Sequence, residues 1–365
     1  MGCFSASSST TMVTNGDPYG MCPSVDAGVA ANGNGNGETP PSCDAPPPAS
    51  PLVGWATVPG MGSGTVSVDI TTGGDTATPT TVTTLADLNT ALAGTTPAVV
   101  QIVGTTIAGN VRVGSNKTLV GVCGGTVQGN IKISGSYNVI VRNLKIVGYN
   151  CKDPAAVNSK DCSAGADAVT ISNSHHVWFD HDDISDGSDG NLDINLASDF
   201  ITLSWTKLYY SGTRIDPAGA AGGHEFSDLI GSSDNSTTDE GHLRVTWHHD
   251  WWGANVHERE PRARFGQIHL YNNLWTSVSN AYCIGLGVGA SMLAENNTFR
   301  GVNIPFNVTS YADDTSVLEG RGNLFEGTTG NTDGVGGAAF TPPYDYTVEE
   351  PCTAAAEIIA QAGPQ

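Results

Sequence analysis

The sequence predicts an all-β fold of stacked coils, a parallel β-helix, on three observations. Glycine (46) and proline (19) are plentiful, Ser, Thr and Asn are common throughout, and long helical patterns are scarce, as expected of a turn-rich β fold. Short β-branched runs follow one another along the chain. Polar-then-apolar units starting at Asn273, Asn297 and Asn323 recur at roughly 25-residue steps, the mark of a solenoid.

Residues 1–51 read as a low-complexity tail or linker. The run Asn32-Gly-Asn-Gly-Asn-Gly37 leads into Pro40-Pro41 and Pro46-Pro47-Pro48, with too little apolar surface to offset the entropy of ordering. A globular domain is expected over 52–365. Its first element is a helix over Thr84–Leu92, with apolar residues at i, i+3 and i+7 and a capping box from Thr84 and Asp87. Strands are expected at Val99–Val103, Lys117–Gly121, Asn138–Arg142, Ala168–Ile171, His176–Asp180, Phe200–Leu203, Leu243–Trp247, Gln267–Tyr271, Ser291–Glu295 and Ser316–Glu319.

One coil cannot bury its own inward face, but stacked coils can, each strand pairing in parallel with its equivalents above and below. An Asn at the same turn of successive coils can hydrogen-bond along the stack. A β-sandwich is the rival, but few Asn-Gly turns separate clean alternating pairs, as its hairpins would require.

The formal charge of −21 leaves no basic stripe for nucleic acid. It serves solubility, unless some Asp residues hold a cation. No apolar segment is long enough to span a membrane. The opening Met1-Gly2-Cys3-Phe4 lacks the basic and apolar regions of a signal peptide. A processed or recloned start is expected, and Cys3 could be a former lipid-attachment site. None of the eight cysteines forms a Cys-x-x-Cys pair, which argues against a zinc ribbon. Cys22 could bridge Cys43, and Cys151 could bridge Cys162, which would place the chain in an oxidising compartment. Cys123 and Cys283 sit in apolar runs and also read as buried thiols.

Two segments depart from the repeat. Asp189 and Asp193 follow Asp167 by one coil, so stacking makes the three neighbours. Carboxylates converging without basic partners repel, and a hard cation such as Ca²⁺ relieves that with oxygen ligands. The bland alternative makes them turn residues, Asp189-Gly190 being a turn dipeptide. The second segment is Arg259-Glu260-Pro261-Arg262-Ala263-Arg264. Three of the chain's 15 Lys and Arg fall in these six positions, which suggests a carboxylate-bearing ligand or surface pairing with Glu258 and Glu260.

These motifs together resemble the extracellular pectate lyases. The resemblance covers roughly 52–352 and lies in Val177-Trp-Phe-Asp-His181, in Asp189-x-x-x-Asp193 and in Arg259-x-Pro261-x-x-Arg264. Val245-Thr-Trp-His-His-Asp250, Phe265–Asn273 and Ser115-Asn-Lys-Thr118 add to it. It implies a right-handed parallel β-helix with calcium at the cleft, Asp167, Asp189 and Asp193 as its ligands, Arg259 as catalytic base and Arg264 as a substrate-carboxylate contact. Asp180 and His181 match a signature that supports the site from within the fold. The implied reaction is β-elimination on α-1,4-polygalacturonate by a secreted monomer. Removing the C5 proton, α to the carboxylate, leaves an enolate-like anion; the C4 glycosidic oxygen then leaves, giving a 4,5-unsaturated end. An alkaline optimum follows, since free arginine stays protonated.

One position departs from the resemblance. Related enzymes carry a Lys three residues before a Leu-Ile-Gly run, whereas Phe226 stands there ahead of Leu229-Ile230-Gly231, after an apparent insertion at 213–227. Arg214 is the expected substitute. A pectin lyase acting on methyl-esterified chains would replace the acidic site with a basic residue and line its cleft with aromatics. Trp247, Trp251 and Trp252 could serve that purpose or pack the interior. A glycoside hydrolase would need two carboxylates flanking the bond and leaves the Arg motif unused. A non-catalytic polysaccharide binder is the remaining alternative.

Overall fold

A computed structural model describes Cys22, Cys43 and residues 46–149, 167–212 and 225–365. Cys3, Arg214 and the Cys151/Cys162 pair lie outside these residues. Three parallel sheets of ten, eight and nine strands form the body, and every inter-strand pair but the first joins a strand to the third one after it. Three strands therefore make one coil, and the coils stack as a parallel β-helix.

Nine of the ten expected runs become strands of the ten-stranded sheet, including Lys117–Val122, Tyr137–Arg142 and Asp199–Ser204, and the run Ala168–Ile171 falls in the eight-stranded one. One inward column in register reads Val100, Leu119, Val141, Phe179, Leu203, Trp247, Leu270 and Ala294. All eight are fully buried, the inward face that no single coil could cover. A second interior column stacks Trp252, Trp275, Phe299 and Phe325, with centroids 4.6, 4.3 and 5.2 Å apart. Trp247 and Trp252 are thus core residues, and Trp251 is half-buried beneath the Lys207 ammonium.

The polar turn column also forms. Backbone N–H groups of Asp250, Asn273 and Asn297 donate to the side-chain oxygens of Asn273, Asn297 and Asn323. The helix runs over Leu85–Ala91, capped by Thr84. A second helix, Pro351–Gln361, is not foreseen in the sequence reading. Its Ala355 and Ile358 pack on Leu274.

Two cysteine expectations are corrected. Cys22 bonds Cys352, and Cys43 bonds Cys123. Cys22 and Cys43 are therefore not partners, and Cys123 is not a thiol. Pairing follows which coil a segment lies against, which sequence spacing does not encode. Cys283 is the buried free thiol expected.

The segment beginning at Ala49 lies along the outer face of the ten-stranded sheet. Ser50 N–H donates to Asp180, Trp55 N–H to Thr246 and Ala56 N–H to Thr202. The chain then returns, with Thr72 N–H donating to Asn138 and Gly74 N–H to Thr118. The C-terminal helix covers part of the nine-stranded side through Leu274 and Trp251. The outer face of the eight-stranded sheet is the one that carries the acidic and arginine motifs.

Candidate active site

That sheet includes Ile131–Ser134, Val169–Ser172, Leu192–Asn195, Asp228–Ile230 and Arg262–Ala263. Alternation sends Val169, Ile171, Leu192 and Ile194 into the core and turns Thr170 and Asp193, partners in register, outward. Asp167 sits just before its strand. It is 6% exposed, and its carboxylate accepts from Thr170 Oγ1 at 3.0 Å. Asn130 fixes its backbone by donating to the Asp167 carbonyl at 2.7 Å.

The acids converge at Gly190: a Cβ built there would stand at ordinary contact distance, 3.5 Å, from both Asp167 Oδ1 and Asp193 Oδ1. Burial, then the charge of Asp189, raises the Asp167 carboxyl to about 7, against the lowering pull of the Thr170 hydroxyl and Arg259. Burial, then Asp167, lifts Asp193 well above the usual carboxylate range. Asp167 and Asp193 thus converge, and the charge of Asp189 acts on both, although the oxygens of the three do not all come within 4.8 Å. Among the described residues only Cys22, Glu326 and Cys352 meet that closeness, and the two sulfurs there are bonded to each other. An oxygen-only donor set whose members destabilise each other's charge fits a hard divalent cation.

Arg259 stands beside this group. It lowers the Asp167 and Asp193 values through its charge. Its backbone is left-handed at φ 63°, and its carbonyl accepts from the Asp228 N–H. Its guanidinium lies over the Phe226 ring, Cζ 4.0 Å from the centroid, with Glu258 3.7 Å from Nε. Phe226 therefore meets Arg259 where a lysine would be expected.

Arg264 is drawn aside: Nε pairs with Asp234 Oδ1, and Nη1 donates to the Gly231 carbonyl at 3.0 Å. Asp234 also approaches Arg262 at 3.7 Å, whose guanidinium lies over Tyr311. A substrate carboxylate would share Arg264 with Asp234. Arg214 lies outside the described residues.

Sequence reasoning missed the inward carboxyls behind this face. Asp228 is fully buried and accepts from Trp252 Nε1 and Ser227 Oγ; burial raises it to about 8. Glu260 accepts from Ser277, and burial holds it well above its usual range. Asp228 takes the inward parity of Asp228-Leu229-Ile230, a signal that register counting could have found.

These features define a parallel β-helix that carries acidic residues beside an arginine on the outer face of one sheet. The family signature described as "Pectate lyase" matches residues 45–365: the chain belongs to the pectate lyase family. It is 34% identical over 250 residues to pectate lyase E of Dickeya chrysanthemi, covering 59% of this chain and 61% of that one. It is 30% identical over 261 residues to a Bacillus subtilis pectate lyase, covering 62% and 59%. The matches thus span about three-fifths of those relatives' lengths. A solved mutant of Bacillus subtilis pectate lyase shares the fold, with TM-score 0.66 and 23% identity over 85% of this chain and 96% of that one.

Proposed function

We propose that the protein is a secreted, monomeric, calcium-dependent pectate lyase that cleaves α-1,4-polygalacturonate by β-elimination. The observation that carries this reading is the meeting of Asp167 and Asp193 around Gly190 beside Arg259. Asp167, Asp189 and Asp193 would hold the cation, which when bound supplies positive charge to the substrate carboxylate and to the anion that develops beside it. Arg259 takes the C5 proton. The C5–H electron pair becomes the C4–C5 double bond, and the C4–O bond breaks with its pair on the departing oxygen, which is then protonated.

Arg264 orients a substrate carboxylate in competition with Asp234. A guanidine must be neutral to accept a proton, so turnover is expected to rise toward alkaline pH. The two disulfides support an oxidising compartment, and among the described residues no helix is long and apolar enough to cross a membrane. Retention of the three aspartates and the interior placement of Trp247 and Trp252 disfavour a pectin lyase.

The test is ultraviolet absorbance of unsaturated uronate ends on polygalacturonate and on methylated pectin, with calcium and then with chelator. Calcium-dependent absorbance on polygalacturonate is expected. Saturated products, or full cleavage after chelation, would overturn the reading.

A further inference from the structure

The open sheet carries a second charged feature, two and three strands before Asp193. Val111-Arg112-Val113 and Ile131-Lys132-Ile133 follow the same alternation, with all four aliphatic residues buried and the two cations facing outward. Arg112 and Lys132 are partners in register, Lys132 pairs with Thr170, and Thr170 pairs with Asp193. They therefore continue, on the same face, the column that carries Asp193.

At roughly 4.8 Å per strand, Lys132 lies about 10 Å and Arg112 about 14 Å from Asp193 along the stack. They line a depression of about 360 Å³ with Asn89, Asn110, Ser134 and Ser136. Among the described residues, neither cation has a carboxylate within 4.0 Å. On a chain of net charge −21, two adjacent cations without an acid partner among the described residues suit an external anion. Asn89 Oδ1 accepts the Arg112 N–H and fixes the backbone that carries this side chain.

We propose that Arg112 and Lys132 form a distal subsite for the free carboxylates of an acidic polysaccharide. This inference rests on the lyase reading above. The sheet face runs along the stack, coil upon coil. A chain lying along it presents one carboxylate per sugar, and a 1,4-linked pyranose unit has nearly the length of one coil step. Uronates bound two and three units away from the reacting sugar then meet Lys132 and Arg112. The subsite adds affinity for longer chains and a preference for unesterified uronate at those units, since a methyl ester removes the charge both residues need.

The experiment compares kcat/KM on trigalacturonate and hexagalacturonate for the wild type and the Arg112→Gln/Lys132→Gln double variant, at low and high salt. The hexamer-to-trimer ratio is expected to fall roughly fivefold to tenfold in the variant at low salt, and less at high salt. The charge-preserving pair Arg112→Lys/Lys132→Arg should keep most of the ratio, which separates loss of charge from loss of fold. An unchanged ratio in an active double variant would overturn the subsite and leave the lyase reading standing. A wild type that makes no unsaturated product from either oligomer would overturn both.

Discussion

Phe226 places an aromatic face against the Arg259 guanidinium, Cζ 4.0 Å from its centroid, an arrangement that attracts a cation. Phe226→Ala removes that face and is therefore expected to lower kcat by roughly twofold to fivefold; steady-state rates on polygalacturonate measure it, and an unchanged kcat argues against this role. Arg259→Ala should lower kcat by about 10²–10⁴-fold with an unchanged thermal midpoint, and near-normal turnover would remove Arg259 as the base. Asp193→Ala should lose activity that high calcium partly restores, read by titrating calcium against rate. The convergence of Asp167 and Asp193 beside Arg259 was legible because their spacing follows a motif. Phe226 was legible only as a departure. The hold of Asp234 on Arg264 was not legible, because it depends on how two coils sit against each other.

Within the stack, the polar turn column has two irregular members. Asp250 and Asp182 take positions that Asn273, Asn297 and Asn323 occupy further on: their Oδ1 atoms accept the Thr206 and Leu144 N–H groups. The asparagine amides also donate to the Trp247, Leu270 and Ala294 carbonyls. Among the described residues, the matching Oδ2 atoms of Asp250 and Asp182 have no hydrogen-bond partner. Burial holds both acids well above their ordinary range.

A carboxyl raised on folding binds its proton more tightly in the native state. Its stability contribution is full below the unfolded value and falls as pH rises through the folded one. The protein should therefore lose stability toward alkaline pH. Asp250→Asn, which does not titrate and restores a donor, should recover about 1–3 kcal/mol there and little under acidic conditions. Thermal midpoints across pH decide it; equal shifts at both ends count against the account.

The strands and the first helix were readable from β-branched runs and a capping pair. The helix at Pro351–Gln361 was missed although Glu350, whose side chain caps it, and Pro351 mark its start. Its short Ala-rich pattern gains its helical state from packing on Leu274, which local propensity does not contain.

At the scale of the whole molecule, two segments flanking the coils cover outer faces of the stack among the described residues. The segment around Ser50 to Ala56 covers the ten-stranded sheet, and the last helix covers part of the nine-stranded side. Composition marked residues 1–51 as a tail, and two of its cysteines are bonded to the body. Replacing Cys22 and Cys352 by serine is expected to cost about 2–5 kcal/mol, measured by denaturant unfolding under oxidising conditions. Equal midpoints for variant and parent would show that the bond adds nothing.

The Cys22–Cys352 bond spans 330 residues, with the Cys22 N–H held by Glu326 in the last coils. A solenoid contacts only its neighbours and can peel away from a loose end. Here the final rungs are fastened covalently to a stretch that precedes the first rung in the chain. The rod behaves as a ring in its connectivity, and cutting that ring with reductant should let proteases enter from the tip first.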